Sequence, residues 1–369
     1  MMGRREGGQG QFFYSFDLDR VVPPDHLVRQ IDGILDLSWV HKELAPYYSH
    51  TGRPSIDPVL MIQMLLVGYV FAIRSERRLC SEVQVNLAYR WFCKLSIEDS
   101  IPDHSVFCRA RHERFRESEA LRRVFEGVVA KCIAAGLVGG EALSVDASLI
   151  KADVDKKKRM PGDQPIAWPK AEEASRAVRE YLTALDNART DEENDGRDGD
   201  DSGSGGGRRR KPPKEVSLTD PQAAWVARKG TDPLFAYDAN YLIDNKAGII
   251  VDAEGTRANR IAEIAVAQTM LERVRRTTAV VRKVTRDLQE EVRDRVRDLA
   301  NTEAFQRSGR ERKKVEMRFA HMKRILKLDR LRLRGLTGVK DVLTATAQNL
   351  RRLAKLLCRP APTPAACPA

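Results

Sequence analysis

The chain has 369 residues, 42% of them apolar, which is enough to bury one large core or two ordinary ones. Its longest apolar run, Val59 to Ile73, is broken by Gln63 and Gly68. It is shorter than the roughly 20 residues that cross a bilayer, so we expect no membrane span. The glycine-rich, charged N-terminus has no apolar signal region, which predicts a cytoplasmic protein. The six cysteines lack CxxC spacing, and this argues against zinc and disulfide frameworks.

The formal net charge of +12 is concentrated near the C-terminus. Residues 307–355 contain sixteen Lys or Arg against four acids, so the rest of the chain has a net charge of about zero. A basic segment of this density is what a polyphosphate backbone attracts through counterion release. On charge alone, however, duplex DNA, RNA, a membrane surface and a solvated helix face all remain open.

The first part of the chain carries helical patterns only. Asp57 and Pro58 form an N-cap and N1 pair at the start of the long apolar run, and Ser75 can cap the helix that follows. From Leu121 to Ile133 apolar residues recur at the spacing of a helix that buries one face. Gly136 and the pair Gly139 and Gly140 are expected to end this helix. We therefore predict an N-terminal helical domain over residues 1–138.

A strand pattern begins after these glycines. Residues 142–150 form a short apolar run that carries Asp146. From about 152 to 215 the chain is rich in charge, glycine and serine, which predicts a disordered insertion without a core. Two further strands, 235–243 and 248–252, flank a hairpin turn.

Helical patterns complete the chain, over residues 257–275, 287–299, 310–328 and 339–357, before a disordered Pro-Ala tail at 358–369. The predicted order is three strands followed by a helix, with a carboxylate on the first strand. An RNase-H-like (ribonuclease H) fold begins with the same order of elements. The predicted fold class is α+β, mostly helical. The RNase-H-like domain is expected over residues 139–357, after the N-terminal helical domain.

Two acids, Asp146 and Glu316, lie on predicted rigid elements. Asp146 falls between core-like neighbours in its strand, where a buried carboxylate is costly unless a cation accompanies it. Glu316 lies beside the buried stripe of a basic helix, in line with Lys323 two turns later. Paired carboxylates can bridge the divalent ions that assist phosphoryl transfer. The alternatives are a strand-end aspartate and an intrahelical ion pair, and spacing alone favours these alternatives.

Several motifs together resemble the DDE transposases of bacterial insertion sequences. The spacing Arg312-x3-Glu316-x6-Lys323 is similar to the C-terminal catalytic signature of that family, although Gly309 stands where the family usually has tyrosine. The segment from Ser144 to Ala152 resembles its first-aspartate strand. Further segments that resemble the family are residues 52–58, 103–107, 330–335 and 346–350.

The resemblance implies a transposase that cleaves and joins DNA in transposition and recombination, with Mg²⁺ or Mn²⁺ bound in two-metal fashion by Asp146 and Glu316. The implied DNA-binding residues are Arg312, Lys313, Lys314, Lys323, Arg324 and Lys327. The helical N-terminal domain is then expected to bind DNA and to assist assembly. The implied partners are the terminal inverted repeats and target DNA, and paired ends favour a homodimer. A nucleoid-associated cytoplasmic location follows.

The second aspartate of the family has no counterpart in this chain. It should follow the helix at 257–275, yet residues 276–282 contain no aspartate and lead directly into charged helices. Asp287, Asp294 and Asp298 in those helices are poor substitutes. The simplest account is an internal deletion near residues 276–284, which predicts an incomplete catalytic domain and impaired cleavage. The alternatives are a catalytically dead DNA-binding remnant that represses transposition, and a structural RNA-binding protein.

Overall fold

A computed structural model describes residues 16–52, 55–140, 142–170, 172–195, 213–227, 232–258, 260–277, 303–336 and 342–357. Before the first strand the described elements are helical, as the sequence predicts. They are α1 (Leu18–Val21), α2 (Leu27–Ile34), α3 (Val40–Leu44), α4 (Pro58–Val70), α5 (Glu76–Val85), α6 (Leu87–Phe92), α7 (His104–His112), α8 (Arg114–Glu117) and α9 (Ala120–Ala134).

The second part of the chain combines strands and helices, so the α+β class is confirmed. Its strands are β1 (Leu143–Lys151), β2 (Arg159–Pro161), β3 (Glu215–Ser217), β4 (Ala224–Val226), β5 (Leu234–Asp244) and β6 (Ile249–Arg257). Its helices are α10 (Arg176–Asp195), α11 (Arg260–Thr277), α12 (Glu303–Arg324) and α13 (Leu343–Leu357). Strand β5 pairs antiparallel with β1, β4 and β6, while β2 and β3 form a separate pair.

Helix α4 occupies the centre of the N-terminal part. The Asp57 carboxylate accepts hydrogen bonds from the N–H groups of Val59 and Leu60 at 2.7 and 3.0 Å, and Pro58 is the first helical residue. Nearly every residue of α4 is buried, because α3, α5, α6 and α13 pack around it. Within the described parts of the chain, no helix is long and apolar enough to span a bilayer.

The C-terminal helix α13 joins the two parts of the molecule. It packs against α2, α4 and α9 of the N-terminal part and against β6 of the sheet. Its residues Leu343 to Leu350 are all buried. The buried side chains of helices and sheet consequently form one contiguous hydrophobic core.

The segment expected to be a disordered insertion, 152–215, contains β2, α10 and the first residue of β3. Small buried residues anchor α10 and the turn before it, namely Ala174, Ala177 and Val178. The expectation differs from the structure because low apolar content does not prevent a segment from packing on a core formed by others. Residues 196–212 of the insertion lie outside the described part, as do the helix predicted at 287–299 and the tail at 358–369.

The C-terminal helices also differ in extent from the patterns that predict them. Helix α12 ends at Arg324, four residues before the predicted end at 328. The following turn places Lys327 at φ 56°, outside the helical region, which explains why the helix cannot continue through it. Leu326 and Leu328 nevertheless stay buried, so the apolar pattern continues past the helix into the turn.

Candidate active site

Asp146 lies in the middle of β1 and is half-buried. Its register partner on β5 is Tyr241, and side chains of paired residues point to the same face of an antiparallel sheet. The Tyr241 ring packs against Phe319 of α12, with ring centroids 5.6 Å apart. Helix α12 therefore covers the sheet face to which Asp146 belongs.

Glu316 lies on α12 one turn before Phe319 and is exposed. The buried stripe of this helix consists of Val315, Phe319 and Met322, as the helical spacing predicts. The structure shows no ion pair between Glu316 and Lys313, the described base one turn before it. The tyrosine–phenylalanine contact thus brings the helix that bears Glu316 onto the face of the sheet that bears Asp146.

The predicted DNA-binding residues follow the same helix. Lys313 and Arg324 are exposed, Lys327 is exposed in the turn after the helix, and Lys323 is half-buried. The side chains of Arg312 and Lys314 lie outside the described residues. The described bases of this set therefore present much of their charge to solvent along α12 and the turn after it.

Among the described residues, this face offers two candidate carboxylate ligands, Asp146 and Glu316. In the described ranges, no three or more His, Cys, Asp and Glu side chains come together as they would around a metal ion. Asp146 and Glu316 supply two carboxylates, and Mg²⁺ commonly takes one or two from the protein while keeping several waters. The second aspartate of the family is expected near residues 276–284, and of these, residues 278–284 lie outside the described part of the chain.

One edge of β1 is almost unpaired. On its other side β1 pairs with β5 along its whole length. At the outer edge, Lys151 donates its N–H to Asp329 O at 3.1 Å and accepts from Leu331 N at 2.9 Å, a parallel bridge centred on Arg330. The rest of this edge, 143–150, has no strand partner among the residues that the structure describes. Asp146 lies within this open stretch.

Family models match both parts of the chain. A model described as a transposase domain (DUF772) matches residues 16–113, the region from α1 to α7. A model described as a transposase DDE domain matches residues 271–354, which include Glu316. Both matches are to transposase domains, and together they support an insertion-sequence DDE transposase. Asp146 lies between the two matched regions. Searches of curated proteins and of solved structures found no match.

The chain also contains a buried carboxylate, Asp252, whose contacts are structural. Asp252 of β6 is fully buried on the opposite face of the sheet, where it pairs with Arg122 of α9 and, at 3.3 Å, with Arg273 of α11. Arg273 also pairs with Glu254 at 2.9 Å. Burial raises the pKa of Asp252, although both arginines act to lower it. Sequence reasoning missed this cluster because its members are far apart along the chain.

The arginine-rich segment after α12 makes internal contacts instead of a uniform basic surface. Arg330 and Arg334 both pair with Asp153, the latter at 3.2 Å. Arg332 points the other way, donates to the carbonyl oxygens of Ile73 and Gly68 at 3.1 Å each, and stacks on Tyr69. Alternate arginines therefore tie this extended segment to the β1 end and to α4.

Asn349 in α13 closes the outer edge of β6. Its side-chain oxygen accepts from Ile250 N at 2.9 Å, and its amide nitrogen donates to Ile250 O at 2.7 Å. Both residues are fully buried. This pair of hydrogen bonds gives a structural reason for an asparagine in the segment 346–350, which resembles the family and falls within the matched DDE region.

Proposed function

We propose that the chain binds the terminal inverted repeats of an insertion sequence and that its DNA cleavage and strand transfer are impaired. The observation that carries the proposal is the placement of Asp146 and the Glu316 helix on one face of the sheet through the Tyr241–Phe319 contact. The transposase family supports a DNA substrate.

In this proposal Asp146 and Glu316 are the catalytic carboxylates and the metal ligands. A strand residue and a helix residue on packed elements offer oxygen ligands in a fixed relation, which suits Mg²⁺ or Mn²⁺. A bound divalent ion would supply Lewis-acid stabilisation of the attacking and leaving oxygens. The predicted DNA-binding residues of α12 and the turn after it hold the phosphates of the DNA beside these carboxylates; they are Arg312, Lys313, Lys314, Lys323, Arg324 and Lys327.

The impairment rests on the missing second aspartate. No aspartate stands between Arg275 and Arg282. The edge of β1 beside Asp146 supports this inference, because among the described residues no strand pairs with 143–150, where a further strand of an RNase-H-like sheet could pair. We infer an RNase-H-like domain over 139–357 that is incomplete, and an N-terminal helical domain over 1–138 that assists binding and assembly of a homodimer on paired ends.

A supercoiled plasmid that carries the matching terminal repeats tests the proposal. With Mg²⁺ or Mn²⁺ we expect salt-sensitive binding of duplex ends but little nicking. Insertion of the second-aspartate segment of an intact relative between residues 276 and 287 should restore nicking. The restored activity should be lost in Asp146→Asn and kept in Asp238→Asn, a matched control on β5 whose partner Leu149 places it on the opposite face.

Three outcomes would contradict the proposal. Robust strand transfer by the unaltered chain, abolished in Asp146→Ala, would show that the second aspartate is dispensable and would refute the impairment. RNA that displaces duplex ends, while duplex DNA fails to compete, would favour a structural RNA-binding protein. Binding without cleavage even after the insertion would favour the remnant that occupies the ends as a repressor.

A further inference from the structure

A cationic cavity of about 320 Å³ lies where α12 and α13 meet α2. Helix α2 contributes Gln30, and the two C-terminal helices contribute the charged side chains. These are Arg318, His321, Arg351, Arg352 and Lys355. The lining contains no carboxylate. Four permanent cations and a histidine thus surround a space that could hold a small anion, and none of them belongs to the DNA-binding set predicted from sequence.

Arg318 is held at this cavity with part of its hydrogen-bonding capacity unused. Its Nε is buried and has no hydrogen-bond partner in the described structure. The guanidinium lies against the β5–β6 hairpin, so close to Gly248 that a Cβ added there would be 2.7 Å from Nε. Burial lowers the pKa of Arg318, which marks a cation that has lost solvent without gaining an anion.

The two arginines of α13 are oriented by backbone carbonyls. Arg351 donates to Val70 O at 2.9 Å, and Arg352 donates to Ala247 O at 2.8 Å. A carbonyl fixes a guanidinium but does not neutralise its charge. Within the described ranges no carboxylate pairs with Arg318, Arg351 or Lys355. The positive charge of the cavity is therefore preorganised for an anion and incompletely compensated.

His321 adds a group that responds to the contents of the cavity. Its Nδ1 donates to Gln348 Oε1 at 2.9 Å, which leaves Nε2 as the remaining polar atom of the ring. Burial and the nearby charges of Arg351, Arg318 and Lys355 hold the pKa of His321 below its ordinary value. An anion in the cavity would raise the pKa of His321, so a change in the titration of its ring would indicate that an anion has bound.

We propose that this cavity binds a phosphate group, and that in the DNA complex it takes one phosphodiester of the duplex. Phosphate oxygens match a cluster of arginine, lysine and histidine donors without carboxylates. Arg318 is two residues from Glu316, about 200° around α12, so this phosphate is separate from those beside the candidate carboxylates. The DNA ligand rests on the proposed function, whereas phosphate binding alone does not.

The first experiment follows the His321 ring resonances of the full chain by NMR. Inorganic phosphate, pyrophosphate and a duplex of the terminal repeat are titrated separately. We expect a saturable shift of His321 and a rise of its pKa, both reduced in Lys355→Gln and Arg351→Gln. Lys355 is exposed, so its replacement should not unfold the chain, and circular dichroism checks this. Lys131→Gln, an exposed lysine of α9, is the matched control and should behave as wild type.

The second experiment measures duplex binding between 50 and 200 mM salt. Loss of one phosphate contact should reduce the magnitude of the slope of log K against log salt by about 0.9. Between the two salt concentrations, the affinity of the wild-type chain should therefore fall by a factor roughly three times larger than that of Lys355→Gln. Lys131→Gln should keep the wild-type slope. A shift with phosphate but an unchanged DNA slope would support the phosphate site and identify a free anion as its ligand.

The two proposals fail separately. If no probe shifts His321 and the slope of Lys355→Gln equals that of wild type, the phosphate site is overturned while DNA binding stands. If phosphate shifts His321 but the wild-type chain binds no duplex, the site is supported and the proposed function fails.

Discussion

Replacing Asn349 by leucine should destabilise the chain strongly, although the side chain keeps a similar size. The substitution leaves the N–H and the C=O of Ile250 buried without partners. Each unsatisfied buried group costs about 1–3 kcal/mol, so the two together cost roughly 2–6 kcal/mol. That is a large part of the roughly 5–15 kcal/mol by which folded domains are stable. Equilibrium unfolding in urea, followed by circular dichroism, should show a lower midpoint with an unchanged slope.

Thr346→Val is the matched control on the same helix. Thr346 is also fully buried, and its hydroxyl donates to Val342 O at 3.0 Å. Val342 O still accepts from Thr346 N at 2.9 Å, so this substitution leaves no buried group unsatisfied and should cost less than about 1 kcal/mol. Equal midpoint shifts in the two variants, or a shift of Asn349→Leu below 1 kcal/mol, would refute the reasoning.

Four further predictions concern the buried charges and the cavity. Asp252→Ala should lower the free energy of unfolding by about 1–3 kcal/mol in urea denaturation, because it removes one carboxylate partner from Arg122 and from Arg273, which keep Glu126 and Glu254 as partners. Gly248→Ala should cost about 1–2 kcal/mol in the same measurement, since φ is +69° there, and should displace Arg318. In NMR titrations Lys355→Gln should raise the pKa of His321, which burial and neighbouring cations hold below 6.5. Because that pKa is depressed, the contribution of His321 to stability is full above pH 6.5 and is lost as the pH falls, so thermal midpoints should fall less on acidification in His321→Gln.

Local signals in the sequence predicted many elements well. The Asp57–Pro58 pair marks the start of α4, because an N-cap and its proline act on neighbouring backbone groups. The apolar run around Asp146 and the hairpin before Ile249 likewise predicted β1, β5 and β6. These features depend on residues that are close in sequence, so they can be recognised from a single amino-acid sequence.

The contacts that were missed depend on partners distant in sequence. The fully buried Asp220 accepts from the Tyr237 hydroxyl at 2.6 Å and from Gly335 N at 3.0 Å, the latter 115 residues away. Strands β3 and β4 were not predicted because each has only three residues, which is too short to show the alternation that indicates a strand. The cavity was missed because Arg318 and Lys355 lie on different helices and their charges read as solvated helix faces.

The hydrogen bond from Arg332 to the carbonyl of Gly68 joins residues that are 264 positions apart. At a synthesis rate of about 5–20 residues per second, the ribosome needs roughly 13–50 s to make the intervening chain. During that time α4 has already emerged, but neither Arg332 nor α13 exists to cover it. Helices α3, α5 and α6 are made close to α4 and can cover part of it, but the face that α13 covers in the folded protein stays exposed through most of translation. Protection of that apolar face before release becomes a condition for obtaining the folded protein.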